Sequence, residues 1–176
     1  MAAAGLARPV VTMNEAQAYV RIETGEEEAV LAGLIRTASA LCESFLNQVV
    51  LAREFSAQLP VNGRWGRLAV TPVRSITSIE TIDEADVASP VASGSYEVDI
   101  DFNGDGWVRV SNTGATRVRV AGTAGLAVDE NGVPEPIRQG VLRLVAHLFA
   151  SRDGAGGDPP AAVTALWRPY RRMRLA

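Results

Sequence analysis

The sequence predicts an α+β fold in which helices and strands occupy separate stretches of the chain. Helical periodicity dominates the first 48 residues, alternating apolar and polar residues dominate about 51–121, and helical periodicity returns at 134–152. Segregation of this kind indicates an antiparallel sheet inserted between helices that meet in space. We therefore expect a single α+β domain over 1–157, a helical bundle with an inserted antiparallel β-sheet, followed by a C-terminal short helix and interaction arm over 158–176.

Two capping boxes predict where the first helices begin. Thr12 and Glu15 have the spacing at which a hydroxyl accepts an unpaired amide while the carboxylate reaches back, which predicts a helix over 13–21. Thr24 and Glu27 repeat the spacing and open a longer helix over 26–48. The expected core face of the longer helix consists of Val30, Leu31, Leu34, Ala38, Leu41, Cys42 and Phe45.

The period changes to two after residue 50. Leu51, Phe55 and Leu59 lie on one side of the first predicted strand, while polar residues occupy the other. Val, Ile and Thr enrichment or strict alternation predicts the later strands, of which two form a hairpin around a glycine-bearing turn. These later strands are expected at 73–82, 96–102, 107–110 and 117–121.

The predicted helix at 134–152 has the clearest boundaries. Its two early prolines suit a first helical turn, and the glycine-rich stretch 154–157 ends it. Its apolar side consists of Ile137, Val141, Leu144, Val145 and Leu148. Leu142 and Phe149 widen this side beyond one stripe, so we expect these two residues to contact a second subunit.

Composition argues against several function classes. The formal net charge is −3, from 20 acidic and 17 basic residues, and demands no nucleic-acid or membrane partner. Cys42 is the only cysteine, which excludes an intrachain disulfide framework and a cysteine-based zinc site. The sequence has neither a signal-peptide pattern nor a run of about 18 apolar residues, so we expect synthesis in the cytoplasm.

No catalytic constellation is present in the sequence. His147 is the only histidine, and we expect it to be structural. Cys42 lies within an apolar stripe, where a cysteine packs as a small hydrophobe. A nucleophile elbow, a phosphate-binding loop and a dinucleotide fingerprint are all missing. We therefore predict that the protein is not an enzyme and needs no cofactor.

The stretch 99–106 matches the first half of a calcium-binding loop. Its candidate oxygen ligands are Asp99, Asp101, Asn103 and Asp105, with Gly104 at the sharp turn. The match fails at the twelfth position, where Val110 replaces the bidentate glutamate. The other interpretation is a hairpin turn whose acidic residues face Arg109, Arg117 and Arg119 across the sheet. The pattern favours the hairpin, with a metal-binding module as the alternative.

The last residues combine arginine with large apolar side chains. Both residue types anchor protein interfaces, the aromatics by contact area and arginine by its forked donors. The candidate binding residues are Trp167, Arg168, Tyr170, Arg171, Arg172, Met173 and Arg174. The interleaved hydrophobes favour docking into a protein groove, while binding of DNA phosphates and a solvated tail are the alternatives.

Five short motifs occur in an order that gives a family resemblance. They are the capped first helix, FLNQ at 45–48, PVRSI at 72–76, PEPIRQ at 134–139 and PYRR at 169–172. In this order they resemble the head-tail connector, or adaptor, proteins of tailed bacteriophages and phage-like gene transfer agents. The acidic turn at 99–106 is not a feature associated with that family.

The resemblance implies a non-enzymatic structural protein at the head-tail junction of a virion or phage-like particle. Such proteins assemble as a ring, typically of twelve copies, beneath the portal protein, extend the DNA channel, and offer a platform to further neck or tail proteins. DNA then passes through the channel without sequence-specific binding, and no membrane is involved. The resemblance also implies that the C-terminal segment binds the portal. On this basis we expect deletion of 167–176 to spare the fold and abolish docking.

Overall fold

A computed structural model describes the protein over residues 2–22, 27–111, 114–151 and 159–173. It confirms the α+β class, since helices flank strands that pair antiparallel in both sheets. The chain divides into two compact units. The strand unit comprises Met1–Gly5 and Ala52–Leu126, and the helical unit comprises Leu6–Leu51 and Ala127–Ala176. The boundary predicted between residues 157 and 158 stays a prediction.

The strand unit holds two antiparallel sheets. The first has the strand order β1-β2-β8-β4-β5, and the second has the order β3-β7-β6. The strands are β1 (Ala2–Ala4), β2 (Arg53–Pro60), β3 (Gly66–Arg67), β4 (Val73–Ile82), β5 (Ala88–Pro90), β6 (Tyr96–Ile100), β7 (Gly106–Val110) and β8 (Arg117–Ala124). The predicted hairpin is confirmed as β6 and β7, paired from Tyr96 opposite Val110 to Ile100 opposite Gly106.

Alternation along β2 and β8 builds the core of the larger sheet. Phe55 and Ala57 of β2 and Val118 and Val120 of β8 are buried, whereas the residues between them are exposed or half-buried. A period of two places these four side chains on one face of the sheet. Leu51 was expected to begin the first strand, but β2 begins at Arg53 and Leu51 is buried in the helical unit.

The helical unit is built from helices that begin and end within two residues of the predicted positions. They are α1 (Met13–Val20), α2 (Glu28–Leu46), α3 (Glu135–Ala150) and α4 (Ala161–Trp167), with short 3₁₀ turns at Glu130–Gly132 and Arg168–Tyr170. The first capping box is confirmed: the Glu15 amide donates to Thr12 Oγ1 at 3.2 Å, and the Thr12 amide donates to Glu15 Oε2 at 2.8 Å. The second predicted box depends on Thr24, which lies outside the described residues.

The predicted core face of α2 requires a correction. Val30 and Leu41 were expected inside the core, but they are 46% and 41% exposed. The buried side of α2 consists of Leu31, Ile35, Ala38, Ser39, Cys42 and Leu46. Ser39 shifts the stripe because its hydroxyl accepts the Val10 amide at 3.1 Å, so a polar residue is satisfied in the interior. The prediction treated that position as outward and centred the stripe one residue too early.

Among the described residues, α2 is the one helix long and apolar enough to cross a membrane, with a mean hydropathy of 1.4 over an 18-residue window. Length and composition alone are weak evidence, because core helices of soluble proteins reach the same values. Here the buried stripe of α2 packs within the helical unit, in contact with α3. Its remaining apolar side chains enlarge the apolar surface of the unit.

Two of the motifs that gave the resemblance meet between α1 and α3. Arg138, from the PEPIRQ motif, forms an ion pair with Glu15 of the first capping box. Its Nη1 also donates to the carbonyl oxygen of Glu130 at 2.9 Å. Partial burial opposes ionisation of Glu15, but hydrogen bonds from Thr12 and the charge of Arg138 outweigh it, so the pKa of Glu15 is lowered. The PEPIRQ motif therefore links α3 to α1 and to the 3₁₀ turn that precedes α3.

Candidate protein-interaction site

Trp167 belongs to the core of the helical unit. Its side chain is 1% exposed, and its indole N–H donates to the carbonyl oxygen of Ile137 at 3.1 Å. The ring lies so close to Gly140 that a Cβ there would clash with the indole, so this turn of α3 requires glycine. Trp167 therefore offers no surface to a partner. Its burial argues against the expectation that deletion of 167–176 spares the fold, because that deletion would empty a core site.

After Trp167 the chain lies across the C-terminal end of α2. Gln48 Nε2 donates to the carbonyl oxygen of Tyr170 at 2.8 Å, and Asn47 Nδ2 donates to that of Arg172 at 3.4 Å. The Arg172 amide in turn donates to the carbonyl oxygen of Leu46 at 2.9 Å. The last carbonyls of a helix have no intrahelical partner, so this contact satisfies one of them. We call these three hydrogen bonds the C-terminal clamp.

An aromatic contact reinforces the C-terminal clamp. The Arg171 guanidinium lies over the Phe45 ring, 5.3 Å from its centroid, and the Phe45 ring lies 5.8 Å from that of Trp167. A guanidinium over an aromatic face is attracted by the negative face of the ring. The FLNQ and PYRR motifs thus contact each other, although more than 120 residues separate them. The clamp fixes the backbone of the predicted arm as far as Arg172.

The predicted arm residues differ widely in exposure. Arg168 and Arg171 are exposed, and Met173 is 87% exposed. Tyr170 and Arg172 are half-buried. Arg174 lies outside the described residues. The surface left to a partner is therefore a basic and apolar strip held in place by the clamp rather than a free arm.

The two residues predicted for a subunit contact also differ. Leu142 is 7% exposed and belongs to the buried side of α3, so it has little surface for a neighbour. Phe149 is half-buried. The apolar surface that the prediction missed lies on α2, where Val30 and Leu41 are exposed and Leu34 is half-buried. The apolar residues of this surface are visible in the sequence, but their helical spacing predicts core positions for them.

The acidic turn after β6 is stabilised by its own carboxylates. Asp101 Oδ1 accepts the amides of Asn103 and Asp105 at 2.8 and 2.9 Å. Asp105 forms an ion pair with Arg67 at 2.6 Å and accepts the Thr71 hydroxyl at 2.9 Å. We call residues 101–105 the hairpin tip. Its carboxylates pair with amides, a hydroxyl and a guanidinium.

This geometry favours the hairpin over the metal-binding interpretation. Within the described ranges, no group of three or more His, Cys, Asp or Glu side chains is placed to hold a metal ion. Of the arginines expected to face the acidic residues, Arg109 forms an ion pair with Glu97. Arg119 lies 4.0 Å from carboxylate oxygens of Glu80 and Asp86. The cross-strand partners of these arginines are therefore acidic residues outside the turn itself.

Cys42 and His147 lie where the sequence placed them, on α2 and α3. Cys42 is fully buried, and burial, with a contribution from the charge of Glu43, raises the pKa of its thiol. A thiol with a raised pKa stays protonated and is a poor nucleophile. His147 is half-buried.

Solved structures with the same arrangement define the class of this fold, that of structural proteins from the neck of phage-like particles. One matching chain comes from the neck of an empty gene transfer agent particle computed with C6 symmetry. It has a TM-score of 0.78 and 27% identity, over 100% of this chain and 97% of that chain. A chain from the virion of a native gene transfer agent particle gives 0.75 and 26% over the same shares.

A third similar chain shows the shared fold. It comes from the neck of a native gene transfer agent particle computed with C12 symmetry, with a TM-score of 0.76 and 23% identity over the same shares. No protein-family model and no curated protein matches the chain. The resemblance predicted from the five motifs is confirmed, since these similar chains come from gene transfer agent particles.

Proposed function

We propose that this protein is a non-enzymatic structural component of the neck of a phage-like particle, where it connects head to tail. The observation that carries the proposal is the match over the entire chain to a neck chain, with a TM-score of 0.78 and 27% identity. Both the strand unit and the helical unit take part in that match. The proposal therefore concerns the whole protein rather than one module.

In this proposal the protein forms a ring beneath the portal, extends the DNA channel, and offers a platform to the next neck or tail protein. The similar neck was computed with C6 symmetry, which is a cyclic symmetry. Cyclic symmetry repeats one chain around an axis, so two different surfaces of neighbouring copies meet. Twelve copies is the number that the family resemblance implies.

The contact with the portal is assigned to the strip held by the C-terminal clamp. Arg168, Arg171 and Met173 are its exposed members. Guanidinium groups bind carboxylates through two parallel hydrogen bonds, and an exposed methionine adapts to an apolar groove. An acidic groove with an apolar floor on the portal is the surface that this strip fits.

Phe149 keeps its proposed role in the contact between subunits, whereas Leu142 loses it because it is buried. The variant Phe149→Glu distinguishes a surface role from a core role. If the residue serves the ring, the variant folds normally and forms no ring. An unfolded variant would assign Phe149 to the core.

Electron microscopy of the purified protein mixed with the portal protein of the same particle tests the proposal. We expect rings stacked on portals, and their absence would contradict the function. The double variant Arg168→Glu with Arg171→Glu should fold and leave portals bare. Arg64→Glu with Arg117→Glu is the matched control, because both arginines are exposed in the strand unit. Equal portal binding by both double variants would exclude the strip as the portal contact.

A further inference from the structure

Phe102 is the most exposed large apolar side chain among the described residues, at 97% exposure. It lies in the hairpin tip, directly after Asp101. Val98 and Ile100 of β6 are 47% and 38% exposed. Because side chains two apart share a face of a strand, these two residues lie on one face of β6, and Phe102 follows in the turn after that strand. Single exposed hydrophobes are ordinary, but a group of exposed apolar side chains close together is typical of an interaction site.

Hydrogen bonds order the backbone of the hairpin tip around this ring. Besides the two amides held by Asp101, the Gly104 carbonyl accepts the Val73 amide at 2.7 Å. Gly104 has a φ of +77°, and a Cβ there would lie 2.7 Å from the Pro72 Cβ, so the backbone passes closely over that proline. A backbone that is already ordered loses little further entropy when the side chain that it carries binds.

The helical unit carries a cleft of suitable size and chemistry. It has a volume of about 280 Å³, and its apolar wall includes Val11, Met13, Ala32 and Ile35. A cavity of about 150 Å³ lined by aliphatic side chains already accommodates a benzene ring in another protein. The cleft can therefore accept the ring of a phenylalanine.

Charge also matches between the two surfaces. The cleft is bordered by the exposed side chains of Arg8 and Arg36, with Glu130 as the acidic residue of its lining. The hairpin tip carries Asp101 and Asp105, of which Asp105 already pairs with Arg67. The tip therefore carries two carboxylates, and the rim of the cleft carries two guanidinium groups. Complementary charge of this kind favours one orientation of the contact.

We propose that Phe102 of one copy of this chain inserts into the cleft of the neighbouring copy. The inference rests on the proposed function, because it needs a ring. A cyclic ring joins two different surfaces of each copy. Phe102 on the strand unit, which we call the knob, and the cleft in the helical unit are such a pair. Each copy donates one knob and accepts one, so the contacts close around the ring.

Photo-crosslinking in the assembled ring tests this contact. A p-benzoylphenylalanine at position 102 keeps an aromatic ring at the tip and reacts with whatever it touches. We expect a ladder of covalent oligomers, with the crosslinked peptides containing 8–13 or 32–36 of another copy. The same group at position 87 is the control, because Val87 is 57% exposed on a different loop of the strand unit. Crosslinks from position 102 only to the portal or to another neck protein would overturn the proposal.

Substitutions separate this inference from the proposed function. Phe102→Ala and Arg36→Glu should each raise the protein concentration needed for ring formation by roughly tenfold or more, as loss of an interface anchor does. Val87→Ala should leave it unchanged. If wild-type rings form and Phe102→Ala rings form equally well, the knob contact is wrong while the neck function stands. If the wild-type protein forms no ring with its portal, the neck function itself fails.

Discussion

The C-terminal clamp and the hairpin tip both contain hydrogen bonds between side chains and the backbone, but the aromatic residue is buried beside the clamp and exposed in the tip. The clamp joins residues separated by more than 120 positions and follows directly on Trp167, which is 1% exposed. In the tip, Asp101 bonds amides two and four residues away, and Phe102 is 97% exposed. Long-range contacts here accompany a buried ring, whereas local contacts shape a loop that presents one.

The largest expected effect is at Trp167. The variant Trp167→Ala removes a fully buried indole and its hydrogen bond, so we expect a loss of about 3–5 kcal/mol in the free energy of unfolding. Urea unfolding followed by circular dichroism measures it. Phe102→Ala is the matched aromatic control, with an expected change below about 0.5 kcal/mol because its side chain is solvated. Similar losses of unfolding free energy for the two variants would show that the buried and the exposed aromatic residue contribute equally to stability.

The next effect concerns the hairpin tip itself. Asp101→Ala leaves two backbone amides without their acceptor, and we expect a loss of about 1–3 kcal/mol. Hydrogen exchange should be accelerated at Asn103 and Asp105. Asp99→Ala provides the control, since Asp99 is exposed on the preceding strand. If exchange at the tip is unchanged in Asp101→Ala, the tip does not owe its rigidity to this carboxylate.

A smaller effect tests the C-terminal clamp. Gln48→Ala removes the donor to the Tyr170 carbonyl, which is expected to cost about 1 kcal/mol. Exchange of the Arg172 amide should become faster while the core of α3 stays protected. Gln58→Ala, an exposed glutamine of β2, should change neither quantity. Unchanged exchange at Arg172 after Gln48→Ala would mean that other contacts hold the segment.

The smallest effect tests by pH the contacts of the Glu15 carboxylate with Thr12 and Arg138. Because the folded-state pKa of Glu15 is lowered, its stabilisation is present above the unfolded-state pKa of about 4.3 and disappears as the pH falls through the folded-state value. Glu15→Gln should cost up to about 1 kcal/mol at pH 7 and little at pH 3. Unfolding at both pH values measures this. Glu84→Gln is the control, because Glu84 is exposed on a loop of the strand unit. A pH-independent cost of Glu15→Gln would show that the charge of the Glu15 carboxylate does not stabilise the fold.

Local signals in the sequence were sufficient for much of the fold. The proline-rich start and glycine-rich end of α3 gave its boundaries, and its buried residues include Ile137, Val141, Leu144 and Val145 as predicted. The alternation at 96–102 gave the hairpin, because turn chemistry and a period of two act within a few residues. These elements are determined by residues that are close in sequence, so they can be predicted from the sequence.

The parts that could not be predicted depend on distant residues. Ser39 is buried only because the Val10 amide, 29 residues away, donates to it. Trp167 is buried because Gly140 leaves room for the indole. Residue type predicted Trp167 to be an interface residue. Aromatic residues also dominate the energetics of protein cores, so residue type alone does not distinguish the two. Periodicity alone does not predict the contact of Ser39 with Val10 or that of Trp167 with Gly140.

The burial of Trp167 also makes the protein a convenient object for spectroscopy. Its three tryptophans stand at positions 65, 107 and 167, and the helical unit contains only the last. Replacing Trp65 and Trp107 by phenylalanine would leave one fluorophore in an apolar site beside the Phe45 ring. Its emission would shift to longer wavelength whenever water reaches the indole. Release of the C-terminal segment from the core could then be followed in real time, without an added label.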